Sequence, residues 1–162
     1  MNLAGAFRKS KIQDTTFIND QTDKEYTLVL DLDETLVHYV TQEKKFKLRP
    51  GCLWFLREMS KIFELIIFTA AAKDYADFIL DIIEKRVENL PDSNKGVKLF
   101  SHRLYRTNCI LDSGVYVKDL SKLGRSLNST IIVDNIRDNF NKQPENGIEI
   151  LTWVGDPNDR EL

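Results

Sequence analysis

Short, wholly apolar runs alternate along this chain with longer stretches in which apolar residues recur every three or four positions. Tyr26-Thr-Leu-Val-Leu30, Glu64-Leu-Ile-Ile-Phe68 and Thr130-Ile-Ile-Val133 are β-branched and aliphatic almost throughout, the character of strands buried on both faces. Further strands are predicted through Leu99 to Arg106 and near Ile148 to Thr152. After the Pro50-Gly51 break, Leu53, Leu56, Met59 and Ile62 keep the spacing of one helix face and predict a helix over roughly 51–61. Tyr75, Phe78, Ile79, Ile82 and Ile83 predict a second, longer amphipathic helix. Asn89 to Gly96 reads as a loop, and Leu120 with Leu123 suggests a short helix. Cys109-Ile-Leu111 and Val115-Tyr-Val117 flank Asp112-Ser-Gly114 as the arms of a hairpin. Alternating strands and helices imply an α/β fold, a parallel sheet with helices on both faces, because right-handed crossovers must traverse a face to bring the chain back.

Composition narrows the picture. A chain of 162 residues suits one domain that buries about two-thirds of its unfolded surface. We read residues 1–25 as an N-terminal arm, mostly polar over 8–25 with apolar anchors at Phe17 and Ile18, and residues 26–162 as the organised domain. The balance of 42% apolar and 30% charged residues is that of a soluble globular protein. No stretch approaches the roughly 20 apolar residues of a membrane helix, and the start has too short an apolar run for a secretory signal. Cys52 and Cys109 lack any metal or redox spacing, which fits a reducing compartment. A net charge of −2 and a pI near 5.7 argue against a whole-domain grip on nucleic acid.

Candidate chemistry sits where the aliphatic runs end. Asp31 and Asp33 follow the first, Thr69 the second, and Asp134 with Asn135 a later one. In an open parallel sheet the carboxyl ends of the strands form the usual ligand crevice, so these residues are expected to converge. A lone Asp at a strand end is often only a loop cap, but five polar groups at three strand ends suggest one site. Clustered carboxylates repel one another and raise their pKa values unless a cation or a shared proton compensates, and a hard oxygen set without His or Cys suits magnesium, with Asp31 and Asn135 as leading side-chain ligands. Lys118, just past the hairpin, is placed to add positive charge.

The pattern resembles the haloacid-dehalogenase-type phosphatases, and within them the small phosphatases related to those acting on the carboxyl-terminal domain of RNA polymerase II (the NLI-interacting-factor-like family). The resemblance rests on Leu30-Asp-Leu-Asp-Glu-Thr-Leu-Val-His38, Arg49-Pro-Gly51, Phe68-Thr-Ala70 with Tyr75-Ala-Asp77, Tyr105-Arg106, Tyr116-Val-Lys-Asp-Leu120 with Leu123-Gly-Arg125, and Val133-Asp-Asn135, across residues 26–162. It implies a HAD-like Rossmannoid sheet with a small hairpin cap. It further implies a phosphoserine or phosphothreonine phosphatase with Asp31 as nucleophile and Asp33 as general acid and base. Magnesium would be held by Asp31, the Asp33 carbonyl and Asn135, with Asp134 orienting these ligands. Thr69 and Lys118 would bind phosphate, and Tyr75 and Arg106 would contact the substrate, although Tyr75 also fits a core position. The implied partner is a phosphorylated protein segment, met by a monomer in the nucleus or cytoplasm, with neither nucleic acid nor membrane bound directly.

Other features temper this reading. The family's domain commonly continues into a further helix, so a domain lacking it is expected. Ala72 stands where family members often carry a larger aliphatic residue beside a proline-binding pocket, which predicts a wider or shallower pocket and altered selectivity. His38 and His102 are expected to make structural hydrogen bonds, and Cys109 to be packed. Lys44 to Arg49 reads as a solvated strand, or as a basic lure for an acidic segment. Two rival functions are a non-catalytic interaction domain on the same scaffold and a small-metabolite phosphatase. Only residues 86–116 could supply the cap that the second would need.

Overall fold

The structure is a computed structural model that describes residues 16–93, 95, 96 and 98–162. The earlier part of the arm lies outside the described residues. Strand β1 (Tyr26–Leu30) is followed by β2 (Val37–Val40), β3 (Lys45–Leu48), helix α1 (Cys52–Ile62), β4 (Phe63–Phe68), α2 (Lys73–Glu88) and β5 (His102–Leu104). Then come β6 (Ile110–Asp112), β7 (Val115–Val117), β8 (Thr130–Asp134) and β9 (Gly147–Glu149). Five strands form one sheet in the order β5-β4-β1-β8-β9, and every pairing in it is parallel.

β1 lies at the centre, which explains its aliphatic composition: both its faces are covered. Leu28, Leu30, Leu65 and Ile67 face α1 and α2 and pack with Leu56, Ile79, Leu80 and Ile83. On the opposite face Val29, Ile66, Phe68 and Ile132 meet Leu120, Leu123 and Phe140. Helices therefore flank both faces, but unequally. Both α-helices sit on one face, and the other carries short 3-10 turns at Leu120–Lys122 and Arg137–Phe140.

Three local expectations are adjusted. The strand expected over Leu99 to Arg106 keeps only His102–Leu104, because Arg106 turns its N–H away from the sheet to the Ala71 carbonyl. The last strand covers Gly147–Glu149, and beyond it the backbone crosses to the loop after β1, where the Trp153 N–H meets the Glu34 carbonyl at 2.8 Å. Residues Lys45–Leu48, inside the basic stretch, pair antiparallel with β2. Their alternation, with Phe46 and Leu48 packed inward between exposed Lys45 and Lys47, was masked by the lysines.

The described part of the arm crosses the 3-10 face. The Phe17 N–H donates to the Lys122 carbonyl at 2.7 Å, its ring meets Phe68 edge-on at 6.1 Å, and Ile18 is buried. Gly124 permits this crossing. A Cβ there would lie 2.2 Å from the Ile18 carbonyl oxygen, and its φ of +79° is left-handed. Gly124→Ala is expected to cost about 1–3 kcal/mol. It should lower Tm by several degrees and open residues 16–25 to protease, as read by thermal unfolding and limited proteolysis.

α2 is tied to β5 through Asp77, which accepts from Arg103 at 3.0 Å, from Tyr105 at 2.7 Å and from Lys73. Partial burial works to raise the Asp77 carboxyl, but these three donors outweigh it and hold it at about 2. A depressed native pKa contributes stability above the ordinary carboxylate range that is lost as pH falls towards 2. The expected result in acid titrations followed by circular dichroism is a shallower loss of stability between about pH 4 and 2 for Asp77→Asn than for wild type.

Candidate active site

The sheet brings the strand ends together. β1 delivers Asp31 to the centre, β4 delivers Thr69 on one side, and β8 delivers Asp134 and Asn135 on the other. β7 runs directly into Lys118, whose N–H donates to the Asn139 carbonyl at 2.6 Å. The Lys118 side chain is fully buried, and its Nζ donates to Asp31 Oδ1 and to Asp134 Oδ2, each at 2.5 Å. The second Asp31 oxygen, Oδ2, accepts from Thr35 Oγ1 at 3.0 Å. Asp134 Oδ1 is occupied by the Ile136 N–H at 2.8 Å and Asn139 Nδ2 at 3.1 Å.

This triad carries two buried carboxylates against one ammonium. Burial pushes the Asp31 carboxyl up to about 6, with Lys118 pulling down and the like charge of Asp134 pushing further up. Burial works against the Lys118 charge as well, yet the two carboxylates outweigh it and leave its pKa raised. The excess negative charge at the floor of the site suits an added cation. Thr35 Oγ1 also lies 3.3 Å from Asn135 Oδ1, so the Asp31 and Asn135 oxygens share one hydroxyl neighbour. The Asn135 amide is turned by Nδ2 donating to Thr152 Oγ1 at 3.0 Å, which leaves its oxygen towards Asp31. Such an oxygen-only set fits a hard divalent cation. Among the described residues no group of three or more His, Cys, Asp or Glu forms a metal cluster.

Around this floor opens a cleft of about 470 Å³ lined by Asp31, Asp33, Thr69, Tyr75, Arg106 and Asn135, with Ala70, Ala71, Ala72, Tyr116 and Ile136 on its walls. A second depression of about 510 Å³ lies around Arg57, Lys61 and Glu88, away from these strand ends, and contains none of the expected chemistry. Asp33 Oδ1 accepts from the Tyr75 hydroxyl at 2.7 Å. Burial raises the Asp33 carboxyl, opposed by that hydrogen bond. Tyr75 thus both packs against the core and lines the cleft. Thr69 is buried and its hydroxyl accepts from the Ala71 N–H at 3.0 Å, shaping the turn into α2. Arg106 Nε donates to the Ala70 carbonyl at 2.6 Å and its guanidinium lies 5.3 Å from the centre of the Tyr116 ring.

All eight expected site residues therefore meet in or beneath one cleft. Outside it, His38 is held by Glu34 at 2.8 Å and His102 lies 3.2 Å from Asp20, as structural roles require. Cys109 sits 3.7 Å from the Thr69 carbonyl, and burial pushes its thiol up to about 11, the behaviour of a packed residue. Sequence reasoning gave no role to Thr35, although it closes the Asp-x-Asp-x-Thr motif, nor to Asn139 and Tyr116, of which Tyr116 lay inside a quoted motif. Thr152 carried no sequence signal.

The architecture matches the solved structure of Fcp1, an RNA polymerase II CTD phosphatase, with a TM-score of 0.60 over 84% of this chain and 44% of that one, at 20% identity. A fission yeast Fcp1 bound to beryllium fluoride gives a TM-score of 0.55 over 79% of this chain and 42% of that one, also at 20% identity. The fold is thus a HAD-like α/β fold, a parallel sheet flanked by helices with small antiparallel hairpins. The CTD small phosphatase-like protein 3 of Caenorhabditis elegans is 40% identical over 90% of this chain and 53% of its own length. Mouse carboxy-terminal domain RNA polymerase II polypeptide A small phosphatase 2 is 33% identical over 90% of this chain and 56% of its own. Nuclear envelope morphology protein 1 of Saccharomyces cerevisiae is 36% identical over 87% and 37%. Residues 26–162 match the NLI interacting factor-like phosphatase family, and the chain belongs to that family. It spans about half the length of the first two of these relatives. Among the described residues no helix is long and apolar enough to cross a membrane.

Proposed function

We propose that this chain is a magnesium-dependent protein phosphatase that removes phosphate from serine or threonine in a flexible segment, by way of an aspartyl-phosphate on Asp31. The observation that carries the reading is the setting of the Asp31 carboxylate. It stands at the end of the central strand with one oxygen on Lys118 and the other on Thr35, at the floor of a cleft whose wall bears Asp33. An Asp31 oxygen attacks phosphorus as the bond to the serine or threonine oxygen breaks, and Asp33 gives that oxygen its proton. Water then attacks the phosphorus of the aspartyl-phosphate, Asp33 takes the water's proton, and phosphate leaves with Asp31 restored. Lys118 and Thr69 offset charge on the transferring phosphoryl group. The residues that would hold magnesium are Asp31, Asn135 and the Asp33 carbonyl, with Asp134 fixing Lys118 behind them; the bound ion would screen phosphate charge from the attacking carboxylate.

Tyr75 and Arg106 on the cleft walls are assigned to the peptide. The β6–β7 hairpin has only three residues per strand, too little to close over the cleft, and so favours a chain substrate over a small metabolite. The carboxyl-terminal domain of RNA polymerase II is one candidate, and Ala72 would alter which flanking residues are accepted. The chain is proposed to act as a monomer in the nucleus or cytoplasm. Phosphopeptide arrays and a panel of phosphosugars, each with and without magnesium, test this. Magnesium-dependent release from phosphoserine or phosphothreonine peptides is expected. Preference for sugars would favour a metabolite phosphatase, and no turnover at all a non-catalytic interaction domain.

A further inference from the structure

The segment after β9 contains neither helix nor strand, yet it grips the loop that carries Asp31 and Asp33. Ile150 and Trp153 are buried, and the Trp153 N–H donates to the Glu34 carbonyl at 2.8 Å. Thr152 Oγ1 accepts from Asn135 Nδ2 at 3.0 Å. Asp159 takes a two-pronged grip from Arg49, with Nε to Oδ1 and Nη2 to Oδ2 both at 2.7 Å. Arg49 is fully buried and spends its remaining nitrogen, Nη1, on the Thr35 carbonyl at 3.2 Å, while its main-chain N–H donates to the Leu36 carbonyl at 2.9 Å. Thr35 in turn is the hydroxyl shared by Asp31 Oδ2 and Asn135 Oδ1, at 3.0 and 3.3 Å.

The loop needs holding. Glu34 has a φ of 61°, a left-handed conformation that an ordinary side chain disfavours and that persists only where the surroundings over-determine it. Consecutive carbonyls from Glu34 to Leu36 are each taken by a donor from Trp153 or Arg49.

We propose that Arg49, locked in place by Asp159, is a positioning residue: it fixes the Thr35 carbonyl and, through the Thr35 hydroxyl, sets the Asp31 carboxylate and the Asn135 amide for reaction. The inference rests on the reading of Asp31 as nucleophile. A planar fork matters here, because a lysine ammonium cannot hold both Asp159 oxygens and still reach Thr35 in the same geometry.

The test separates positioning from mere support of the fold. Asp159→Asn leaves a buried guanidinium without its counter-charge, so Tm is expected to fall. The double variant Arg49→Met with Asp159→Leu removes both charges and should regain much of that Tm. Arg49→Lys keeps the charge and tests the fork alone. Each is assayed well below its own Tm with magnesium and p-nitrophenyl phosphate, per folded molecule. In all three, kcat should fall between about 10- and 100-fold with KM changed less than about twofold, the signature of reacting groups held out of place. The rise in Tm on adding magnesium with beryllium fluoride should also shrink. A double variant or Arg49→Lys with wild-type kcat and a full beryllium fluoride response would overturn the proposal and leave the pair as a structural pin. Wild-type protein without magnesium-dependent turnover would instead overturn the functional reading, and the inference with it.

Discussion

Asp31→Asn is expected to lower magnesium-dependent kcat by at least about 10⁴-fold while leaving a folded protein, because the change removes a nucleophile without removing volume. An asparagine oxygen can still accept from Lys118 while its amide donates to the Thr35 hydroxyl, and Lys118 keeps Asp134 at 2.5 Å, so no buried cation is stranded. The lost charge is one that the fold tolerates poorly: burial drives the Asp31 carboxyl up to about 6 despite its contact with Lys118. The Tm of the metal-free variant should therefore equal or exceed that of wild type. Steady-state turnover on a phosphopeptide together with thermal unfolding checks both halves. A folded variant that retains full activity would remove Asp31 from the chemistry.

Lys118→Met should produce the largest loss of stability. The ammonium is wholly buried between Asp31 and Asp134, whose side chains are 8% and 0% exposed. Its removal leaves two like charges facing each other without water, a loss on the order of 3–5 kcal/mol. For a domain of this size that corresponds to a fall in Tm of roughly 6–20 °C. Two conditions should restore part of it, mild acid, which protonates a carboxylate, and millimolar magnesium, which supplies another counter-charge. Activity should be lost in either condition. Scanning calorimetry with unchanged Tm would mean that the triad is not the electrostatic keystone of the site.

The contrast between Asp31 and Arg49 shows what the sequence could and could not disclose. Strands covered on both faces must be apolar throughout, so β1, β4 and β8 stood out as runs, and their last residues marked the crevice. That local signal was enough to gather Asp31, Asp33, Thr69, Asp134 and Asn135, with Lys118 just past the hairpin as added positive charge, and the family motifs added Tyr75 and Arg106. Arg49 was visible only in Arg49-Pro-Gly51 and as the end of the basic stretch from Lys44, where it was expected to be solvated, whereas it is buried on Asp159, a partner 110 residues further on in a segment with no periodicity. Thr152 and Trp153 escaped for the same reason: their contacts come from an irregular backbone crossing to the strand-end loops, at Asn135 and Glu34. β5 was read too long, since Leu99 to Arg106 has strand composition but its end is claimed by the Ala71 carbonyl. The unequal covering of the sheet, with α-helices on one face alone, was hidden because Leu120 and Phe140 bury as much from a single 3-10 turn as from a helix.

The most direct test of the central claim is to trap the covalent intermediate. Enzyme turning over a phosphopeptide with magnesium is quenched in acid, reduced with borohydride, digested and sequenced by mass spectrometry. An acyl-phosphate on Asp31 would be reduced to homoserine at that position, only when both phosphopeptide and magnesium are present. Phosphate release at an undiminished rate with position 31 unmodified, or homoserine at another aspartate, would contradict the account.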